Sequence, residues 1–591
     1  MQNTSPVVRT SLQAALLAAL CLSTIPLAAQ SQPRRITPPR PGSQPSQSQP
    51  EPVYTTDRIN AVVVSSMDGK PVARVLVTSP DRRMAAITDY EGRFSFDLRR
   101  PVPSQADPGT GQSFSMGLIG KQTTIALPFI LRKPGYVDGN IILRLPAVKP
   151  DGSDPTQQVK IVPAGLITGH VYADSGDLPQ GFFVQLRHKN VFNGEANWTA
   201  TLTAQVNSRG EFRFANLVPG DYKLLAPASV QDNNLPGHSP DSVPGFLPIF
   251  YPNADSFDAA TVLRIGPGES ATGNLTLRHA PFYSVTIPVA NLADGAGFYA
   301  NLLPDIAGLS IGHDRAGAHG YLPDGDYQML LISSDAAPPQ GYVPSGFLKQ
   351  EIASVHVEVD GKPIHTAPAA FHPGLELPVV VHRDFSTAKP AEFPDPQNQA
   401  SVWIGLQPLE PGAPGPEVPT IPRSGDDDIR VMNLSEGLFR VDVTARFGYV
   451  ASLTSGSTDL LREPLRVLSG SEPRPIEITL RDDYASLNGS LLLDPTTQPL
   501  TDNQPVFILC IQLDRPQAQP INFATQQMQF PMPNLPPGHY LLLASRQQLV
   551  QTIEYRDEDV LRGLLSKGAT ITLSPNQKAD IQIPLMPEEG N

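Results

Sequence analysis

Short runs in which apolar and polar residues alternate recur along the whole chain, and they predict β-strands. Val206–Phe214 and Tyr222–Leu225 are typical examples. Glycine and proline, both of which favour turns, separate the runs. Many short strands with regular turns are typical of β-sandwich domains. The clearest helical periodicity, over Asp557–Leu565, predicts one short helix.

One turn phrase occurs four times: leucine, two residues, glycine, any residue and an aromatic residue, followed by an apolar strand. Its glycines and aromatic residues are Gly220 with Tyr222, Gly325 with Tyr327, Gly437 with Phe439, and Gly538 with Tyr540. The glycines lie 105, 112 and 101 residues apart. These intervals match sandwich domains of about 100 residues each.

The turn phrase has a physical explanation. Proline presets the backbone for a turn, and glycine supplies the positive φ that a type II turn requires. The aromatic ring then enters the core. Where the ring is tyrosine, its hydroxyl can brace the backbone, as in the tyrosine corner of immunoglobulin-like domains. Phe439 has no hydroxyl and cannot form this contact.

The first two segments carry a further hairpin motif. Asp68-Gly69 separates two apolar strands, Thr88–Phe96 contains Thr-Asp-x-x-Gly-x-Phe-x-Phe, and Asn207–Phe214 repeats its second half. With the turn phrase, these motifs resemble the carboxypeptidase regulatory-like domain, at 58–145 and 160–280 and more weakly beyond. The resemblance implies a transthyretin-like (prealbumin-like) sandwich, grouped with carbohydrate-binding folds. In that family such modules accompany enzymes, receptors and surface proteins as structural or interaction units. The whole arrangement also resembles large exported proteins of environmental bacteria.

We therefore predict an all-β chain, with about five small immunoglobulin-like or transthyretin-like sandwiches in tandem after a signal peptide and a disordered linker. The expected boundaries are 1–29 for the signal peptide, 30–57 for the linker, and 58–158, 159–280, 281–373, 374–483 and 484–591 for the sandwiches.

The N-terminus predicts export. Arg9 precedes an uncharged stretch over Leu12–Ala29, which ends in small residues, as a secretory signal peptide does. A membrane anchor is the alternative, but the apolar part is short for a span of about 20 residues and contains Pro26. We expect no transmembrane segment after cleavage, and a location in the periplasm, at the outer surface or outside the cell. Pro, Gln and Ser dominate the linker, so we expect it to be extended.

Charge and cysteine content narrow the function further. The net charge is −13, and an acidic chain lacks the basic surface of a nucleic-acid-binding protein. Cleavage leaves Cys510 as the sole cysteine, so no intramolecular disulfide can form. Its apolar neighbours predict a buried thiol and not a catalytic thiolate.

Candidate catalytic, cofactor-binding and metal-binding residues are absent from the sequence. The densest histidines, His356, His365, His372 and His382, lack the local spacing of zinc ligands. No nucleophile elbow or phosphate-binding loop occurs either. The protein is therefore expected not to be an enzyme and to need no cofactor.

Sugar binding needs exposed aromatic rings beside polar groups. Trp198, with polar neighbours, and Tyr251, in a loop, are the two candidate ligand-binding residues, although packing is the alternative at each. Two functions remain open. One is a structural or adhesive sandwich array with protein partners, and the other is a carbohydrate-binding protein that uses loops of one or two sandwiches. A TonB-dependent receptor is disfavoured because the repeated sandwiches occupy the place of its barrel. The oligomeric state is not defined by the sequence.

Overall fold

The computed structural model describes residues 54–101, 126–144, 156–174, 178–230, 240–293, 295–334, 350–386, 402–409, 429–468, 474–493, 505–515 and 517–587. Nearly all regular structure in these ranges is β-strand, so the predicted fold class is confirmed. The predicted signal peptide and most of the linker lie outside the described residues. The strands form five pairs of sheets, which we call sandwiches one to five.

Sandwich one is formed by β1 (Tyr54–Ser65), β2 (Leu76–Thr78), β3 (Ala85–Ile87), β4 (Arg93–Pro101), β5 (Ala126–Arg132), β6 (Gly139–Arg144) and β7 (Gln157–Ile161). Its sheets have the orders β4-β1-β7 and β3-β2-β5-β6. β1 begins within the segment expected to be linker. Val159 and Ile161 of β7 belong to the core of this sandwich, just beyond the expected boundary at 158.

The second segment of the chain contains β8 (Gly165–Ala173), β9 (Phe183–Phe192), β10 (Glu195–Gln205), β11 (Glu211–Leu217), β12 (Gly220–Ala226), β13 (Ser229–Val230), β14 (Ser242–Phe246), β15 (Ile249–Phe250), β16 (Leu263–Ile265), β17 (Ser270–Thr272) and β18 (Leu275–Leu277). All of these strands except β13 and β14 form the two sheets of sandwich two, although Phe246 of β14 belongs to its core. One sheet has the order β11-β8-β17, with β18 also on β8. The other has the order β10-β9-β12-β15, with β16 also on β12.

Sandwich three is formed by β19 (His279–Ala290), β20 (Gly297–Leu303), β21 (Gly312–Asp314), β22 (Gly317–Leu322), β23 (Gly325–Ser334), β24 (Glu351–Val359), β25 (Ile364–His365), β26 (Ala369–Ala370) and β27 (His372–Pro373). One sheet has the order β20-β23-β24-β27. The other has the order β13-β14-β19-β22-β21, so two strands from the second segment of the chain complete a sheet of the third.

Sandwich four is formed by β28 (Leu375–Asp384), β29 (Val402–Pro408), β30 (Ile429–Leu434), β31 (Gly437–Ala445), β32 (Tyr449–Ser455), β33 (Thr458–Asp459), β34 (Leu465–Val467) and β35 (Ile476–Arg481). Its sheets have the orders β30-β28-β35-β32-β33 and β29-β31-β34.

Sandwich five is formed by β36 (Ala485–Leu492), β37 (Val506–Gln512), β38 (Ile521–Thr525), β39 (Gln529–Leu535), β40 (Gly538–Ser545), β41 (Ala569–Leu573) and β42 (Lys578–Pro584). Its sheets have the orders β39-β36-β42 and β38-β37-β40-β41. Between β40 and β41 lie a 3₁₀-helix (Leu549–Gln551) and α1 (Glu558–Leu564), which confirms the predicted helix. The Asp557 side chain caps α1 by accepting hydrogen bonds from the amides of Asp559 and Val560.

Each sandwich pairs its first strand in parallel with a strand near its end. The pairs are β1 with β7, β8 with β17 and β18, β19 with β25 and β26, β28 with β35, and β36 with β42. The other ladders described between strands are antiparallel. This shared topology explains why the turn phrase recurs at similar intervals.

The aromatic residues of the turn phrase enter the cores as predicted, and each is almost fully buried. The hydroxyls of Tyr222, Tyr327 and Tyr540 donate hydrogen bonds to the carbonyl oxygens of Val218, Pro323 and Pro536, four residues earlier, at 2.5, 3.1 and 2.6 Å. The predicted bracing of the turn is therefore confirmed in three sandwiches. Burial raises the pKa of both Tyr222 and Tyr327 to about 12, so the hydroxyls keep their protons.

The left-handed residue of the turn phrase differs from the prediction. The glycine φ is positive in the last three copies, at 158°, 147° and 157°, but these values are far from the value of about +80° at a type II turn. Gly220, in the first copy, does not have a positive φ. In the first, third and fourth copies, the asparagine directly before the leucine has a left-handed φ, of 57° at Asn216, 60° at Asn433 and 60° at Asn534. The strand register shifts at each of these positions, which is the mark of a β-bulge. Asparagine tolerates this conformation better than most residues.

Residues 57–98 and 114–591 constitute one compact unit. Within it, β14 and β19 are hydrogen-bonded from Ser242↔Tyr283 to Phe246↔His279. The amide of Ala228 also donates to the carbonyl oxygen of Ala307 at 2.8 Å. Sandwiches two and three are thus joined by backbone hydrogen bonds as well as by the chain itself. We retain the division into five domains as a proposal.

Candidate functional site

Trp198 lies on β10, where the register with β9 shifts between Asn197 and Ala200. A β-bulge turns a side chain away from its regular direction. The half-buried indole contacts the edge of the Phe257 ring, with centroids 6.0 Å apart and planes at 77°. Part of the ring that was the candidate sugar platform is therefore packed against the protein itself.

Lys223 lies against both of these rings. Its ammonium nitrogen is 5.1 Å from the centroid of Trp198 and 4.3 Å from that of Phe257, within range of cation–π attraction. It also donates a 2.8 Å hydrogen bond to the carbonyl oxygen of Phe257. Lys223 is 7% exposed, and burial lowers the pKa of its ammonium group.

The covering loop explains why a lysine is buried here. Along β12, Tyr222 and Leu224 face the core, while Lys223 and Leu225 face the opposite side of the sheet. Phe250, Phe257 and Ala260 cover this outer side, and Ala307 of sandwich three packs against them. The lysine stem is therefore enclosed by apolar groups, and its charge is accommodated by aromatic rings and a carbonyl.

Tyr251 begins the covering loop. Its amide donates to the carbonyl oxygen of Leu224 at 2.9 Å, and its carbonyl oxygen accepts from the amide of Thr261 at 2.8 Å. The half-buried ring packs against the core of sandwich two, and the peptide bond to Pro252 is cis. The structure therefore places both candidate residues on sandwich two, and Trp198 contacts the loop that Tyr251 begins.

An open groove of about 850 Å³ lies elsewhere on sandwich two. Tyr172 lines it and is 49% exposed, and its ring stacks on that of His170 with centroids 4.1 Å apart. The amide side chains Gln180, Gln205 and Asn207 belong to the lining. Tyr172 was not among the residues predicted from the sequence, although an aromatic residue at a polar position of an alternating strand could have indicated it.

The turn at the edge of this groove is well ordered by hydrogen bonds. The Asn207 side-chain oxygen accepts from the amides of Arg209 and Glu211, at 2.9 Å each. Arg209 and Glu211 also form an ion pair at 2.9 Å. This turn is part of the Gly-x-Phe-x-Phe hairpin, so the motif that resembles a known family shapes one wall of the groove.

Ionisable groups in the described ranges do not form a metal site. No set of three or more His, Cys, Asp and Glu side chains among these residues is arranged to hold an ion. His356 contacts Asp326 at 3.3 Å, and His372 lies on β27. Two short acidic stretches of the sequence, Asp151–Asp154 and Gly425–Asp428, lie outside the described residues.

Cys510 is buried, as predicted, with 2% of its surface exposed. Burial raises the pKa of its thiol to about 12, so the sulfur stays protonated at neutral pH. Among the described helices, none has the length and apolar character needed to cross a membrane.

The tip of the β9–β10 hairpin makes long-range contacts that were not predicted from the sequence. Glu195 contacts Arg440 of sandwich four and Arg556 of sandwich five. Single charged residues that lie far apart in the chain form no repeating pattern. Their contacts can therefore be recognised only in the folded structure.

The fold and these sites define a multi-domain β-sandwich protein. No family model and no curated protein matches the chain. Among solved structures, the Bacillus anthracis TIE protein is 10% identical over 91% of this chain and 76% of its own, with a TM-score of 0.15. The shaft pilin SpaA from Lactobacillus rhamnosus GG is 13% identical over 38% of this chain and 98% of its own, with a TM-score of 0.17.

A further similar structure is GBS52, the minor pilin in Streptococcus agalactiae. It is 12% identical over 40% of this chain and 99% of its own, with a TM-score of 0.16. Because the identities and TM-scores are low, none of these proteins defines the family or the activity of this chain.

Proposed function

We propose that the chain is an exported, non-catalytic protein with a structural or protein-interaction role at the cell surface or in the periplasm. One observation carries this proposal: the sandwiches form one compact unit over 57–98 and 114–591, in part through β14–β19 pairing and the Ala228–Ala307 hydrogen bond. Such joining suits a chain that presents outer surfaces in a fixed arrangement. We also propose that its first two sandwiches belong to the carboxypeptidase regulatory-like class.

The burial and hydrogen bonding of the potentially reactive side chains support a role without catalysis. The Cys510 thiol is protonated and buried, and the Lys223 ammonium is enclosed by two aromatic rings. The hydroxyls of Tyr222, Tyr327 and Tyr540 brace turns. Each of these potential nucleophiles thus has a structural use.

Cell fractionation tests the proposal. The full chain, tagged at its C-terminus, is expressed in the organism that encodes it, and its mass and location are measured. We expect a product with the mass of residues 30–591 in the envelope or the medium, and in-cell cross-links to specific proteins. An unprocessed chain confined to the cytoplasm contradicts export, and an exported chain without specific protein cross-links contradicts the interaction role.

Carbohydrate binding by sandwich two is the second candidate function. The groove beside Tyr172 favours it, because a half-exposed aromatic ring lies among amide side chains there. Trp198 and Tyr251 remain the candidate contacts from the sequence. A glycan array compares the natural chain with Trp198→Ala, Tyr251→Ala and Tyr172→Ala, with exposed Tyr299→Ala as the control. Binding that none of the first three substitutions weakens rejects these sites, and no binding at all rejects the function.

A further inference from the structure

The β9–β10 hairpin ends in a tight turn that projects one carboxylate. Asn193 and Gly194 have positive φ values of 50° and 76°, which suits a two-residue type I′ turn. Glu195 follows directly as the first residue of β10, paired with Phe192. The turn therefore fixes the position of the Glu195 side chain at the tip of the hairpin.

Two arginines from different sandwiches converge on this carboxylate. Arg440 on β31 donates to Glu195 Oε1 through Nη1, and Arg556 Nη1 donates to the same oxygen at 3.4 Å. The Arg440 and Arg556 side chains are only 2% and 6% exposed. Buried guanidinium groups need paired acceptors, and Glu195 is the acidic group that both share.

The rest of the arginine environment is mostly neutral. Arg440 also donates to the side-chain oxygen of Gln407, and Arg556 Nη2 donates to the carbonyl oxygen of Gln517 at 3.0 Å. Within the described ranges, the other carboxylate near Arg440 is that of Asp442, at 4.0 Å from Nε. Without Glu195, two nearly buried positive charges would lack their closest ionic partner.

Close packing of Gly194 on the Tyr555 ring and a second ion pair also hold the hairpin tip against sandwich five. A Cβ atom on Gly194 would lie 2.5 Å from the Tyr555 ring, so only glycine lets the turn rest on that ring. The Gly194 carbonyl oxygen accepts from the amide of Arg556 at 3.2 Å. Lys189 Nζ, on the same hairpin, lies 2.6 Å from Glu554 Oε1.

We propose that Arg440 and Arg556 form a carboxylate-binding slot whose ligand is Glu195, and that this contact holds sandwich two closed against sandwiches four and five. The interaction surface thus binds an acidic hairpin tip within the same chain. Sandwich three lies between them in sequence, so release of the hairpin would allow the chain to extend.

Zero-length cross-linking tests the slot in the natural chain. A carbodiimide activates the Glu554 carboxylate, the Lys189 amine attacks it, and an amide bond forms while the reagent takes up the elements of water as a urea. Mass spectrometry then quantifies the 189–554 peptide in monomeric protein, and small-angle scattering gives the radius of gyration.

We expect the 189–554 product in the natural chain, at least a tenfold lower yield in Glu195→Gln, and a larger radius of gyration for that variant. Glu211→Gln is the matched control: this glutamate is also ion-paired on sandwich two, but its partner is the neighbouring Arg209. Yield and radius should be unchanged in the control. Absence of the product in the natural chain, which requires no variant to fold, overturns the proposal. An unchanged yield or an unchanged radius in Glu195→Gln also overturns it.

Discussion

The Tyr540 hydroxyl donates a 2.6 Å hydrogen bond to the carbonyl oxygen of Pro536, four residues earlier in the turn that begins β40. We expect Tyr540→Phe to lower the free energy of unfolding of sandwich five by about 1 kcal/mol, the usual net value of one such bond. Urea denaturation followed by hydrogen exchange at β40 measures the change. Phe439→Tyr in sandwich four is the complementary control, and it should not destabilise. If Tyr540→Phe and the natural chain were equally stable, the tyrosine hydroxyl would not stabilise the turn.

The left-handed backbone at Asn216 provides a second prediction. This asparagine is exposed and has a φ of 57°. A β-branched residue there should cost about 1–2 kcal/mol, since its Cβ atom clashes in this conformation. We expect Asn216→Val to lower the urea midpoint of sandwich two, whereas Asn216→Gly leaves it nearly unchanged. If both variants behave alike, backbone strain is not the cause.

Gly169 lies on β8, where the paired strand changes from β17 to β18. A Cβ atom there would lie 1.8 Å from the carbonyl oxygen of Gly273 and 2.4 Å from the Phe212 ring. Gly169→Ala should therefore destabilise sandwich two by roughly 3 kcal/mol, at the upper end of overpacking costs. Gly405→Ala is the matched strand control because no atom lies within 4 Å of its added Cβ. The melting temperatures of both variants are measured by thermal unfolding. Equal melting temperatures would contradict the prediction.

His188 makes the stability of sandwich two depend on pH. Its ring stacks on Tyr222 with centroids 4.7 Å apart, and burial lowers its pKa, although the charge of Asp221 acts in the opposite direction. Because the folded pKa lies below the unfolded one, the unfolded chain binds the proton first as pH falls. This contribution to stability is therefore complete above about pH 6.5 and is lost as pH falls towards the folded pKa.

Urea midpoints between about pH 8 and about pH 5 measure this effect. The decrease should be smaller in His188→Gln than in the natural chain. His382→Gln, at an exposed histidine of sandwich four, is the control and should retain the full decrease. An identical decrease in all three proteins would assign the pH dependence to other groups.

Local patterns predicted the parts of the fold that depend on nearby residues. The buried aromatic rings of the turn phrase, the Asp557-capped helix and the buried Cys510 all follow from short windows of sequence. The tyrosine hydrogen bonds also span only four residues. The asparagine bulges could have been found as well, because three of the four copies have Asn directly before the leucine.

Contacts between distant segments could not be predicted from such local patterns. β14 pairs with β19 of the next sandwich, and nothing in its five residues distinguishes a strand that stays within its own sandwich from one that leaves it. Trp198 likewise has polar neighbours in sequence, yet Lys223 and Phe257 reach its ring from other strands and loops. Side-chain sites of this kind arise from tertiary packing, which alternation of polarity does not encode.

The parallel pairing of first and last strands has a mechanical consequence. When two neighbouring strands run in the same direction, the chain enters a sandwich at one end and leaves it at the other. Tension applied to the ends of the chain then pulls β36 and β42 past one another, and their hydrogen bonds from Ser486↔Lys578 to Leu492↔Pro584 bear the load together in shear. A hairpin pulled at its open end would lose such bonds one at a time. Because each sandwich has a parallel pair of this kind, we expect each one to resist unfolding when it is stretched.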